Sequence, residues 1–70
     1  MIRSHLAEVM AQRQVRGVDL AAQIGLTEAN LSILKNDRAK AIRFSTLTAL
    51  CRALDCQPGD LLEYVPDDPT

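Results

Sequence analysis

Aromatic side chains are nearly missing from this chain, which holds one Phe, one Tyr and no Trp among its 70 residues. A small β-sandwich or barrel fills its core with aromatic and β-branched residues, so their scarcity beside abundant Ala and Leu points instead to helix packed on helix. Apolar runs never exceed four residues, which excludes a membrane-spanning helix, and the first residues lack the basic-then-apolar pattern of an export signal. A soluble, cytoplasmic protein is expected. Cys51 and Cys56, the two cysteines, have the spacing of neither a C-x-x-C metal knuckle nor a secreted disulfide scaffold. They are expected to be buried thiols, with no metal site. His5 is the sole histidine, and no nucleophile with a base, paired carboxylates or glycine-rich phosphate cradle accompanies it. Neither an enzyme nor a cofactor is expected.

A net charge of -1 argues against a nucleic-acid partner only if the charge is spread evenly, and it is not. Residues 1–43 hold Arg3, Arg13, Arg16, Lys35, Arg38, Lys40 and Arg43 against Glu8, Asp19, Glu28 and Asp37, a balance of +3. Residues 44–70 hold Arg52 against Asp55, Asp60, Glu63, Asp67 and Asp68, a balance of -4. The asymmetry favours an anionic partner for the first half.

Ile2, Leu6, Val9 and Met10 recur at helical spacing and predict a first helix over residues 2–14 with these four inward. A second helix is expected over 18–24, with Leu20, Ala21 and Ile24 inward, Asp19 complementing its N-terminal dipole and Gly25 ending it. Thr27 is the expected N-cap of a third helix reaching Lys35 or Asn36, with Leu31 and Leu34 inward, followed by an extended basic loop over 37–44. Ser45 is the expected cap of a fourth helix through Leu54 that buries Leu47, Leu50, Cys51 and Leu54. Pro58 suits the opening of a last short helix over 59–63. One domain, residues 1–65, and a mobile acidic tail, 66–70, follow.

Two helices joined by a short glycine corner form a helix-turn-helix, whose second helix can lie in a DNA major groove. Here the unit reads "DLAAQIGLTEANLSILKN": Ala21 permits a close helix crossing, Gly25 makes the corner, and Leu31 is the apolar wedge. Together with "LA...GLT...LS.L.N" and the later "STLTALCRALDCQPGDLL", this resembles the phage-repressor and Cro-like (XRE-type) helix-turn-helix family over nearly the whole chain. The resemblance implies an all-α, five-helix, lambda-repressor-like domain and a DNA-binding transcriptional regulator. It also implies binding of double-stranded DNA by a homodimer on a palindromic site.

At about 100° per residue, placing Leu31 and Leu34 inward puts Ala29, Ser32, Ile33 and Asn36 on the outer side of the third helix, with Thr27, Glu28 and Asn30 at its start. Short polar and small apolar groups suit base edges: Asn pairs with adenine, Ser with either strand, and Ala or Ile with a thymine methyl. These seven are the expected base-reading residues. Arg13, Arg16, Lys35, Arg38, Lys40 and Arg43 are the expected phosphate contacts, Arg43 being suited to a narrowed minor groove.

The chain departs from the family in three places. Gly17 stands where relatives often carry a phosphate-holding Gln, which leaves that contact to a donor such as Arg16. Lys35 and Met10 replace an internal Glu–Arg pair. Glu28, at the mouth of the recognition helix, suits cytosine N4 but repels a nearby phosphate. The alternative is a protein-interaction module on the same fold, antitoxin-like or sigma-contacting, which the acidic second half favours.

Overall fold

The helices of this chain end where the backbone turns left-handed, and those turns set the architecture. The computed structural model describes residues 1–66. In order come β1 (Ile2–Ser4), α1 (Leu6–Gln12), α2 (Gly17–Ile24), α3 (Glu28–Lys35), α4 (Phe44–Leu54), α5 (Pro58–Leu61) and β2 (Leu62–Tyr64). Gln14 (φ 56°), Gly25 (φ 76°), Asp37 (φ 60°) and Asp55 (φ 51°) close the first four helices. Each turn satisfies a carbonyl that the helix would otherwise leave open: Val15 N donates to Met10 O, Leu26 N to Ala21 O, Arg38 N to Ile33 O and Cys56 N to Cys51 O.

Three of those four positions are not glycine, so each carries the steric cost of a Cβ in the left-handed region. Asp tolerates that region better than Gln does. Gln14→Gly is therefore expected to stabilise the domain by about 0.5–1 kcal/mol, raising Tm by roughly 2–8 °C in a thermal melt.

Leu6, Val9 and Met10 from α1, Leu20 and Ala21 from α2, Leu31 from α3, Leu50 and Leu54 from α4 and Leu61 from α5 form the buried core. α3 packs on α1 and α2, α4 packs on α2, and α5 packs on α1. Leu34, Leu47, Cys51 and Cys56 are half-buried at its margin, so the thiols are less enclosed than expected.

The domain is helical but not all-α. Instead of opening the first helix, Ile2–Ser4 pairs antiparallel with Leu62–Tyr64, in the register Ile2↔Tyr64, Arg3↔Glu63 and Ser4↔Leu62. Ile2 is 61% exposed rather than inward. The last helix likewise stops at Leu61, because Leu62 is extended (φ -131°, ψ 142°) and enters the sheet. His5 N donating to Leu61 O at 2.8 Å and Val65 N donating to Met1 O at 2.7 Å continue the pairing beyond both ends. α4 also begins earlier than expected, with Arg43 rather than Ser45 as the N-cap residue. Its first helical bond, Leu47 N to Arg43 O at 2.9 Å, uses the backbone alone. Apart from Pro66, the expected acidic tail lies outside the described residues. Among the described residues no helix is long and apolar enough to cross a membrane.

His5 clamps this sheet to α1. Its Nε2 lies 2.6 Å from Glu63 Oε1 on β2, and its Nδ1 lies 2.9 Å from Glu8 Oε2 on α1. The hydrogen bond that the ring donates to Glu63 holds the imidazole pKa above its ordinary value, with Glu8 adding to the effect against partial desolvation. A raised folded-state pKa means that the clamp contributes fully below the unfolded value of about 6.5 and is lost as pH rises through the folded one. Tm measured against pH for the parent and His5→Ala is expected to show the widest gap on the acid side. The two curves should converge as pH rises through the folded-state value.

Candidate nucleic-acid interface

The helix-turn-helix comprises α2, a turn through Gly25, Leu26 and Thr27, and α3. Thr27 holds the start of α3: its backbone is extended and its Oγ1 accepts from Asn30 N at 3.1 Å. Leu31, 2% exposed, drives the inner face of α3 against the first two helices. A Cβ built on Gly17 would meet Leu31 Cδ2 at 3.8 Å and Met10 Cε at 3.9 Å, so the wedge reaches the opening turn of α2. These two anchors fix both the start and the rotation of α3.

That rotation leaves Thr27, Glu28, Ala29, Asn30, Ser32, Ile33 and Asn36 exposed on one continuous surface. Ile33 is 42% exposed, an apolar group among polar ones. Asn36 Nδ2 donates to Ser32 Oγ at 3.0 Å, one helical turn away, which aligns the two polar groups along the outer face. Asn36 retains its carbonyl oxygen, and Ser32 its hydroxyl proton, for a further partner.

The loop after α3 turns sharply at Asp37, whose carboxylate accepts from Ser4 N and lies 3.9 Å from Arg3 Nε. The sequence places Asp37 at the start of an extended basic loop; the structure makes it the tether joining the end of α3 to the terminal sheet. Its link to Ser4 spans 33 residues, which no local pattern signals. Beyond it, Arg38, Lys40 and Arg43 border an open hollow beside Asn30, Ile33 and Leu34. Among the described residues none of these three cations lies within ion-pair distance of a carboxylate, so the hollow carries uncompensated positive charge. Phe44, 85% exposed beside Arg43, is an aromatic that sequence reading left unassigned.

The other expected phosphate contacts are placed differently. Arg13 turns to the end of α4, donating from Nε to Leu54 O at 2.8 Å and from Nη2 to Asp55 O at 3.2 Å. It thereby satisfies carbonyls at a helix C-terminus and binds α1 to α4. Arg16, the N-cap residue of α2, is exposed but paired with Asp19 at 3.0 Å. Lys35 is half-buried in the last turn of α3, where its charge complements the helix dipole. Among the described residues no cluster of three His, Cys, Asp or Glu side chains could hold a metal ion.

Comparison with known proteins agrees with this geometry. A family model described as the Cro/C1-type HTH DNA-binding domain matches residues 5–67. The chain is also 56% identical over 62 residues to a Bacillus subtilis (strain 168) protein named as the uncharacterized HTH-type transcriptional regulator YozG, a match covering 89% of this chain and 74% of that one. A match to nearly the whole described fold, and not to the two helices alone, places the chain in the Cro/C1-type helix-turn-helix DNA-binding domain family.

Proposed function

We propose that this protein is a sequence-specific transcriptional regulator that inserts α3 into the DNA major groove. The observation carrying the reading is the exposed face of α3, free of long charged side chains at its centre, beside a loop with three cations that are unpaired among the described residues. In this reading Thr27, Glu28, Ala29, Asn30, Ser32, Ile33 and Asn36 meet base edges. Arg38 and Lys40 hold phosphates, Arg43 faces a minor groove, and Arg16 and Lys35 contribute from the flanks. Arg13, engaged with carbonyls of α4, supports the scaffold instead. Regulation follows from occupying a promoter, in keeping with the relative's name and a site of action at cytoplasmic DNA.

One half-site offers limited affinity, so two copies pair about a two-fold axis on a palindrome, their α3 helices about 34 Å apart. The cross-strand pair Ile2 and Tyr64, 61% and 69% exposed, supplies apolar surface for that contact. The competing reading, a protein-interaction module, separates cleanly in a duplex titration at two salt concentrations. Phosphate binding predicts affinity that falls steeply with salt, and a log–log slope reduced by about 1 in each of Arg38→Ala and Arg43→Ala. A protein-binding module would bind duplex weakly at both concentrations.

A further inference from the structure

We propose that Cys51 and Cys56 form a peroxide-oxidisable dithiol that closes an intramolecular disulfide across the C-terminal turn of α4. Cys56 N donates to Cys51 O at 3.1 Å around the left-handed Asp55, φ 51°. Residues joined by this bond carry neighbouring side chains across the turn, and the Cys51 thiol lies within hydrogen-bonding reach of Cys56, the adjacency that a disulfide requires. Both thiols are free and half-buried. Arg13 braces the turn that brings the two thiols together, through Leu54 O and Asp55 O.

Cys56 is the entry point, because it borders an open hollow between α1 and α5 with His5, Glu8, Gln12 and Asp60. Its thiolate attacks one oxygen of hydrogen peroxide, breaking the O–O bond and releasing hydroxide, which takes up the thiol proton as water. Cys51 Sγ then attacks the sulfenic sulfur, forming the S–S bond and expelling the oxygen as a second water with the Cys51 proton. Peroxide gains the two electrons that the dithiol loses. Burial pushes the Cys56 thiol pKa up, and the neighbouring Cys51 and Asp60 push it further against the smaller opposing pull of Arg13, so oxidation is slow at neutral pH and accelerates with alkalinity.

The test is to treat the full chain with hydrogen peroxide at about pH 7 and about pH 9, quench with N-ethylmaleimide, and record intact mass and peptide maps. The expected product is monomeric, lighter by two hydrogens, unlabelled by maleimide, linked Cys51 to Cys56 and restored by dithiothreitol. Its rate should rise roughly tenfold per pH unit below the thiol pKa. Cys51→Ser should block the lighter species and drive Cys56 to the sulfinic acid. Persistence of two labelled thiols, sulfinic acid in the parent, or disulfide-linked dimers as the main product would overturn the assignment. So would a species lacking two hydrogens in Cys51→Ser.

Discussion

Leu31→Ala is expected to cost about 3 kcal/mol and to lower Tm by roughly 12–24 °C, the larger of the two main effects on this domain. Leu31 is 2% exposed, and the space it fills lies between α2 and α1, near Gly17 Cα and Met10 Cε. Truncation removes that apolar contact and leaves a cavity that two short helices collapse around only in part. A domain of this length has roughly 4–10 kcal/mol in total, so roughly 30–75% of its stability depends on one side chain. Leu34→Ala is the control, because Leu34 is only half-buried and should cost distinctly less. Equal Tm losses for the two variants would place the anchor of α3 elsewhere.

The second large effect concerns reading of bases. Asn36→Ala is expected to weaken binding to the preferred duplex by about 1–3 kcal/mol and to relax preference at one base pair, while affinity for non-specific duplex stays nearly constant. Ser32→Ala should act partly through the same site, because Ser32 Oγ accepts from Asn36 Nδ2 at 3.0 Å and its loss frees the amide. The double variant should therefore cost less than the sum of the singles. Fluorescence anisotropy on a panel of duplexes measures all three. A uniform loss across every sequence would assign both residues to the backbone instead.

Much of this site could be read in the chain itself because its determinants are local. Thr27 signals its cap three residues before Asn30, Gly25 its left-handed turn, and the spacing of Leu31 and Leu34 the rotation of α3. What could not be read depends on distant partners. Ile2 and Leu6 fit one helical stripe, but Ile2 instead pairs with Tyr64, more than sixty residues away, and three-residue strands are too short for alternation to show. Arg13, at the end of the first helix, reads as a phosphate contact until the end of α4 is placed beside it. The clamp of His5 on β2 is hidden for the same reason, since Glu63 lies 58 residues away. Ser45 misled differently: a hydroxyl at a plausible start outweighed Arg43, which begins α4 without any side-chain cap.

The outward face of α3 is the centre of this account, and dimethyl sulfate footprinting on a duplex selected from a random pool tests it most directly, because guanine N7 opens into the major groove. The protein should shield N7 within each half-site, and Asn36→Ala should move or erase the selected sequence. Bound duplex with every N7 still methylated at the free rate would show that α3 does not enter the groove.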